Sequence, residues 1–141
     1  MHILERIISQ NIQHHQLLDI EKPIIVAFSG GADSVALLYI LNSLGYNCIA
    51  AHCNFHLRGE ESNRDENHVK DIVNQLCIIG EITHFNVDEY IKKQHVSTEM
   101  ACRELRYKWF EDIRLKHNAQ AIAVAHHRDD DIETMFLNLM R

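Results

Sequence analysis

A strand-like apolar run followed directly by two glycines is the feature of this sequence that most limits its fold. Residues 24–28 read Ile-Ile-Val-Ala-Phe, and the next six residues read Ser-Gly-Gly-Ala-Asp-Ser. A strand that is apolar at every position is buried on both faces, which is typical of parallel sheets covered by helices. The sequence therefore predicts a layered α/β domain that contains this run as a buried strand.

The rest of the chain alternates between strand-like and helix-like segments. Short apolar runs predict three more strands, over residues 48–53, 82–87 and 121–125. Apolar positions at helical spacing predict helices over residues 2–16, 35–44, 60–79, 88–94, 98–117 and from about 128 to 141. This alternation predicts a parallel sheet with right-handed crossovers and helices on both faces, and no linker divides residues 1–141 into separate domains.

Charge and cysteine content exclude several classes of protein. Fourteen Lys and Arg residues against twenty Asp and Glu residues give a net charge of −6. This balance argues against an autonomous nucleic-acid binder, which depends on basic side chains at phosphates. The four cysteines form no C-x-x-C pair, so no zinc ribbon is encoded. Because no signal peptide and no apolar stretch near the length of a membrane helix is visible, we expect a cytoplasmic protein.

The glycine-containing segment has the residue types that bind phosphate. Backbone N–H groups at a helix N-terminus attract anions, and glycine lets the backbone approach a ligand closely. A carboxylate in such a loop would repel a polyphosphate unless Mg²⁺ lies between them. The alternative is a plain Gly-Gly turn whose Asp or Ser caps the next helix. The candidate phosphate-binding residues are Ser29, Gly30, Gly31, Ala32, Asp33 and Ser34.

A second group of polar residues follows the fourth predicted strand. If a helix begins near residue 126, then His126, Asp130 and Glu133 stand at i, i+4 and i+7 and share one face. One imidazole and two carboxylates on a face can hold Mg²⁺, orient a nucleophile or accept a proton. The alternative is an ordinary helix start, where acidic residues are favoured by the helix dipole.

Four motifs together resemble one enzyme family. Residues 29–34 match the S-G-G-x-D-S loop of the N-type ATP pyrophosphatases, which cleave ATP between its α and β phosphates. The segment A-H-C-N-F-H-L-R-G at 51–59 narrows the resemblance to the tRNA(Ile)-lysidine synthetases. The stretches E-x-x-x-R-x-x-R-Y at 99–107 and A-H-H-x-D-D-x-x-E-T at 125–134 match the next two motifs of that family, in order. The resemblance implies an adenine nucleotide alpha hydrolase-like fold, also called the PP-loop ATP pyrophosphatase fold.

The resemblance also implies a reaction and its participants. The family adenylates the C2 oxygen of the wobble cytidine in isoleucine tRNA with a CAU anticodon, releasing pyrophosphate. Free lysine then displaces AMP to form lysidine. The implied partners are therefore isoleucine tRNA and free lysine, and the implied cofactors are ATP and Mg²⁺.

Roles for the candidate residues follow from the same resemblance. Residues 29–34 would hold the ATP phosphates, and Asp33 together with Glu133 would bind Mg²⁺. Arg103 and Arg106 would neutralise phosphate charge from ATP or tRNA. The residues that would assist the metal, the lysine amine or the proton that it loses are His126, Asp130 and Glu133.

Two departures from the family pattern limit what this chain is expected to do. Family members continue into a fifth strand and into tRNA-binding C-terminal regions, whereas only four strands are predicted here. We therefore expect an incomplete N-terminal nucleotide-binding domain that cannot make lysidine alone, with one sheet edge open to pairing with a second chain as a dimer. Two alternatives remain open: a PP-loop tRNA thiolase, which generally needs paired cysteines, and a nucleotide-binding module without activity, in which Asp33 and Glu133 would be idle.

Overall fold

The computed structural model of the chain describes residues 18–126 and 136–140, together with Arg6. Apart from Arg6, which is helical, the helix predicted over residues 2–16 lies outside the described residues. The elements in chain order are β1 (Ile24–Ala27), α1 (Ala32–Ser43), β2 (Cys48–Asn54), α2 (Glu60–Leu76), β3 (Ile79–His84), α3 (Val87–Gln94), α4 (Thr98–Lys116), β4 (Ala121–His126) and β5 (Phe136–Met140).

The described strands form one sheet in the order β3-β2-β1-β4-β5. The strands β1 to β4 run parallel, so the predicted parallel α/β fold is confirmed. Ile24 on β1 pairs with Cys48 on β2 and with Ala121 on β4, which brings the carboxyl ends of these strands to one edge of the sheet. The strands β1, β2 and β3 follow one another in order towards one edge of the sheet, and β4 then lies on the other side of β1. The strand order therefore reverses between β1 and β4, the place where ligands bind in open α/β sheets.

Helices cover both faces of the sheet, as the apolar run at 24–28 predicts. Ile24, Val26 and Phe28 pack into one core cluster with residues of α1 and α2, while Ile25 packs into a second cluster with Phe110 of α4. Ile24, Ile25 and Val26 are fully buried, and each such side chain contributes about 1.5–3 kcal/mol by leaving water. None of the described helices has the length and apolar character that a membrane crossing requires.

The end of the chain differs from the sequence prediction. Residues 136–140 form β5, which pairs antiparallel with β4, so the predicted helix is wrong there and the count of four strands is also wrong. The apolar residues Phe136, Leu137, Leu139 and Met140 satisfy helical spacing, but a run this short fits a strand equally well. Backbone hydrogen bonds with the edge of β4 stabilise the strand conformation of these residues. The start of the predicted helix, at 128–135, lies outside the described residues.

The predicted boundary between α2 and β3 is also wrong. The helix predicted to reach residue 79 ends at Leu76, because Cys77 adopts a left-handed conformation with φ of 55°. The strand then begins at Ile79 rather than at residue 82. Helices often end at a glycine in the left-handed conformation. Because this position is a cysteine, the sequence does not indicate that the helix ends there.

Candidate functional site

A cavity of about 630 Å³ opens at the carboxyl ends of β1, β2 and β4. This volume lies within the range of small-molecule sites in proteins. Its walls come from the loop after β1, from the end of β2 and the loop that follows it, from α2 and α4, and from the end of β4. The cavity therefore lies where the strand order of the sheet reverses, which makes it the candidate site.

Two serine hydroxyls hold the loop between β1 and α1 in shape. Gly30 has φ of +93°, a conformation that glycine adopts without strain. Ser34 Oγ donates to the carbonyl oxygen of Gly31 at 3.0 Å and accepts from the Gly30 N–H at 3.2 Å. Because its single hydrogen is used, the 3.1 Å contact between the two hydroxyls has Ser29 as donor. Ser29 Oγ accepts in turn from the Gly31 N–H at 3.2 Å.

The N-terminus of α1 is available to an anion. Gly31 is the N-cap residue, and within the part of the chain that the structure describes no side chain caps the first turn of the helix. The alternative in which Asp33 or Ser34 caps the helix is therefore wrong. The first-turn N–H groups of a helix without a side-chain cap form an anion-binding position, strengthened by the helix dipole. Asp33 also lines the cavity, and its negative charge fits a phosphate there only with a cation between them.

His52 forms part of the cavity floor, a role that the sequence analysis missed. Its side chain is 5% exposed, and its Nδ1 lies 2.8 Å from the carbonyl oxygen of Phe28, just before the loop. A carbonyl oxygen only accepts, so Nδ1 carries the proton. The available signal was a single histidine within the otherwise apolar run Cys-Ile-Ala-Ala-His-Cys of β2.

A chain of hydrogen bonds connects α2 with the ends of β2 and β3 beside the cavity. Glu66 of α2 contacts Lys70 at 3.2 Å and His84 Nε2 at 2.8 Å. His84 Nδ1 in turn lies 2.6 Å from His56 Nε2, and the two imidazole rings stack. Burial would raise the pKa of the Glu66 carboxyl, but hydrogen bonds from Asn54 and Lys70 and the charges of His84 and Lys70 lower it overall.

Three arginines lie near the cavity in different settings. Arg106 of α4 lines it, with its guanidinium carbon 5.3 Å from the ring centroid of Phe55. Arg103, one turn earlier, lies over Tyr107 at 5.6 Å and is not part of the lining. Arg58 lines the cavity while ion-paired with Asp65. Of the two arginines that the sequence analysis assigned to phosphate, the structure brings only Arg106 to the site.

The predicted group after β4 is only partly within the described residues. His126 is the last residue of β4, where it pairs with Phe136, and its neighbour Ala125 lines the cavity. The shared face of His126, Asp130 and Glu133 was conditional on a helix that begins near residue 126, and this condition is not met at His126, which belongs to β4. Asp130 and Glu133 lie outside the described residues.

The described residues hold no group of three or more His, Cys, Asp or Glu side chains that could bind a metal ion. Mg²⁺ usually binds through one or two carboxylates plus substrate phosphates and water, so Asp33 beside a phosphate position fits this donor set. Cys53 also lines the cavity, and burial raises the pKa of its thiol to about 12, despite a smaller opposing effect of Arg106. The Cys53 thiol is therefore neutral at physiological pH.

Comparisons with known proteins agree with this geometry. Residues 3–141 match the PP-loop domain family. The chain is 53% identical over 139 residues to a tRNA(Ile)-lysidine synthase from Bacteroides thetaiotaomicron, covering 99% of this chain and 32% of that protein. It is 52% identical over 130 residues to the enzyme of that name from Parabacteroides distasonis, covering 92% of this chain and 30% of that protein.

A similar fold occurs in a solved structure with low sequence identity. The NH3-dependent NAD synthetase from Campylobacter jejuni superposes with a TM-score of 0.63 at 15% identity, covering 84% of this chain and 53% of that one. This likeness concerns the fold alone. The present chain spans about a third of the length of the two lysidine synthases described above.

Proposed function

Because this chain belongs to the PP-loop domain family, we propose that it forms the ATP-binding part of a tRNA(Ile)-lysidine synthase. The observation that carries the proposal is the cavity at the strand ends, into which the N-terminus of α1 opens without a side-chain cap. The names of the relatives at 53% and 52% identity support the choice of reaction. The proposal gives this part the task of activating a nucleobase with ATP.

The phosphates of ATP would occupy the loop between β1 and α1. The first-turn N–H groups of α1 would bind phosphate oxygens, and Gly30 keeps the loop backbone close to them. Asp33 would hold Mg²⁺, together with Glu133 as the family resemblance implies, and the metal would neutralise phosphate charge. Arg106 at the cavity wall would act on the same charge from the other side.

The reaction would proceed in two displacements. The C2 oxygen of the wobble cytidine attacks the α-phosphorus of ATP, and the bond to the oxygen bridging the α and β phosphates breaks to release pyrophosphate. The side-chain amine of lysine then attacks C2, the C2–O bond breaks, and AMP leaves with the former C2 oxygen. The amine loses a proton in this step, and His126, Asp130 and Glu133 are the proposed acceptors or orienting groups.

The two alternative functions are less well supported by the described residues. A thiolase would need a reactive thiol, and the thiol that lines the cavity, Cys53, has a pKa raised to about 12. Thiolates rather than thiols act as nucleophiles. In a nucleotide-binding module without activity, Asp33 would lie beside a phosphate position without a chemical role.

The proposal can be tested with a chimera. This chain would replace the matching N-terminal third of the Bacteroides thetaiotaomicron enzyme, to which it is 53% identical. We expect the chimera to release pyrophosphate from ATP only with isoleucine tRNA, and to attach radiolabelled lysine to that tRNA. A chimera that folds and binds ATP, yet forms neither product while the parent enzyme does, would contradict the proposal.

A further inference from the structure

A second cavity, of about 410 Å³, lies beside the cavity proposed for ATP, between the ends of β2 and β3 and the start of α3. We propose that it binds an unpaired base of the RNA substrate, by stacking against aromatic side chains and by hydrogen bonds to His56 and Asn86. The inference rests on the proposed function, because it takes the substrate to be an RNA. It adds a base-binding site that lies outside the ATP cavity.

Hydrogen bonds close a ring through His56, Asn54, Glu66 and His84. Asn54 Oδ1 accepts from the backbone N–H of His56 at 2.9 Å, and the Asn54 amide nitrogen donates to Glu66 Oε1 at 3.4 Å. The same Oε1 lies 2.8 Å from His84 Nε2, and His84 Nδ1 lies 2.6 Å from His56 Nε2. The ring holds His56 at φ of 55°, a left-handed conformation that is strained for a residue with a Cβ. Strain of this kind persists where the surroundings impose it, and it is concentrated at ligand sites.

The ring also determines which nitrogen of His56 can accept a hydrogen bond from a ligand. A carboxylate only accepts, so His84 Nε2 carries a proton, and Nδ1 of the neutral His84 ring is then an acceptor. His56 Nε2 therefore donates to it, which leaves Nδ1 of the neutral His56 ring as an acceptor. His56 lines the second cavity and is exposed. Because its Nδ1 has no partner within the part of the chain that the structure describes, a ligand with an N–H group can pair with it.

Aromatic rings form much of the wall of the second cavity. Phe55 and Phe85 stack with their ring centroids 5.7 Å apart, and the imidazoles of His56 and His84 stack at 4.7 Å. All four rings line the cavity, and Phe55 and Phe85 are only half-buried, so part of their surface is open to a ligand. Unpaired RNA bases bind proteins by stacking on rings of this kind, and such stacking tolerates every base. The volume of the cavity also lies within the range of small-molecule sites.

The polar groups of the lining fit the edge of a base rather than a phosphate. Asn86 Oδ1 accepts from the Glu89 N–H at 3.1 Å, so the amide NH2 of Asn86 is left as a donor. Together with His56 Nδ1 it offers one donor and one acceptor, and the edge of each RNA base presents an acceptor beside a donor. Asp88 also lines the cavity, and none of the described lining residues is Lys or Arg. A phosphate would therefore meet a negative charge without a compensating cation.

The position of the second cavity suits a strand of RNA whose neighbouring base reacts with ATP. Phe55 and Leu57 line both cavities, and Leu57 is 51% exposed although it is apolar. The two cavities are therefore adjacent, and one strand can place a base in the second cavity while an adjoining nucleotide enters the first. This arrangement positions the reacting base and does not require the second cavity to select among bases.

The first experiment follows the imidazole nitrogen signals of the 141-residue chain by NMR at about pH 8, where histidine side chains are ordinarily neutral. The probes are uridine, 3-methyluridine, which lacks the N–H group of the base, and ribose. We expect uridine to bind with a Kd of about 1 mM and to shift the signal of His56 Nδ1. We expect 3-methyluridine to bind about tenfold more weakly, and ribose to leave the signal unchanged. The amide signals of Gly30 and Gly31 report the binding of ATP with Mg²⁺ to the same samples.

His56→Gly tests the hydrogen bond to the base. Glycine adopts φ of 55° without strain, so the variant removes the acceptor and adds no backbone strain. We expect it to bind uridine and 3-methyluridine within about twofold of each other. His95→Gly is the matched control, because His95 is an exposed histidine with φ of 54° outside both cavities, and it should keep the tenfold difference.

Phe85→Leu tests the stacking contact. Leucine keeps an apolar side chain but removes the ring, and we expect uridine to bind about tenfold more weakly. Tyr39→Leu on α1 removes a partly exposed ring outside both cavities and should leave the affinity for uridine unchanged. Thermal unfolding of all four variants checks that each is folded at the temperature of the titration.

A second experiment distinguishes a base of the RNA from a free nucleoside. In the chimera described above, Phe85→Leu should raise the KM for isoleucine tRNA about tenfold. The KM for ATP should stay within about twofold, because Phe85 does not line the ATP cavity. An unchanged KM for the tRNA, together with weaker uridine binding, would assign the cavity to a free nucleoside and overturn the proposal.

Failure of this inference is distinguishable from failure of the proposed function. If His56 Nδ1 does not respond to uridine at up to about 20 mM, or if His56→Gly keeps the tenfold difference, the base-binding site is wrong. ATP that still shifts Gly30 and Gly31 would then leave the proposed function intact. If ATP shifts neither glycine, the proposed function is wrong, and the RNA is lost as the source of the base even where uridine binds.

Discussion

His84 donates through Nε2 to the Glu66 carboxylate at 2.8 Å, which ties the end of β3 to the middle of α2. Glu66 also receives a bond from Asn54 of β2, so one carboxylate joins three elements beside the cavity. The side chain of Glu66 is only 12% exposed. Loss of this charge would therefore leave several donors without their acceptor.

We expect Glu66→Gln to destabilise the fold by about 1–3 kcal/mol at pH 7, because the neutral amide loses the charge-assisted hydrogen bonds to Lys70 and His84. The folded-state pKa of Glu66 is lowered, so its stabilisation is present above the unfolded pKa and is lost as the pH falls through the folded value. Urea unfolding between pH 3 and pH 7 should show a shallower acid decline in the variant. Glu60→Gln, at a side chain that is 91% exposed, is the control and should change stability by less than about 0.5 kcal/mol. Equal acid profiles for the variant and the unaltered chain would contradict this role.

Gly30→Ala should weaken both the fold and ATP binding. A residue with a Cβ at φ of +93° is strained, at a cost of about 1–2 kcal/mol. Gly45→Ala is a matched control, since Gly45 has the same φ of +93° but follows α1, outside the loop between β1 and α1. Both variants should lose similar thermal stability, while only Gly30→Ala should lose affinity for ATP in calorimetry. Equal ATP affinities of the two variants would contradict the prediction that phosphate binding depends on the conformation of Gly30.

Asp33→Asn should change ATP binding in opposite directions with and without Mg²⁺. In Mg²⁺ we expect affinity to fall by about tenfold or more, because the proposed ligand of the metal is lost. In EDTA the variant should bind ATP more tightly than the unaltered chain, since removing the carboxylate removes repulsion from the phosphates. Asp71→Asn, an exposed position on α2, controls for net charge. The same change in ATP affinity with and without Mg²⁺ would contradict a role of Asp33 in binding the metal.

Arg106→Ala should lower ATP affinity about tenfold, whereas Arg103→Ala should leave it within about twofold. Both substitutions remove one positive charge and one cation–π contact, but only Arg106 lines the cavity. The two variants therefore control for each other in a titration at constant salt. A larger loss in Arg103→Ala would place the phosphate-binding arginine one turn earlier on α4.

The loop between β1 and α1 was predictable from the sequence because its determinants are local. A buried strand, two glycines and a helical pattern follow one another without interruption, and the structure adds only the hydroxyl bonds of Ser29 and Ser34. The hydrogen bond between His52 and the Phe28 carbonyl was not predictable in this way. It depends on which carbonyl of β1 lies beside β2, and that register is a property of the assembled sheet.

The errors at the chain end and after α2 share a physical cause. The apolar residues at 136–140 fit both a helical and a strand pattern. The strand forms because these residues pair with β4, and the local sequence holds no information on that pairing. At Cys77 the helix ends without glycine, and the next strand packs closely enough that a Cβ on Gly80 would lie 3.0 Å from Val73. Tertiary contact, rather than local propensity, sets both boundaries.

The closed set of hydrogen bonds among Ser29, Gly30, Gly31 and Ser34 has a consequence for the kinetics of ligand binding. Both serine hydroxyls are already engaged within the loop, so the loop holds its shape without a bound anion. Association then includes no slow ordering step, and preorganisation of this kind favours affinity. The rate at which polyphosphate enters should depend on diffusion and ionic strength, and rapid mixing should show a single phase that is linear in ligand concentration.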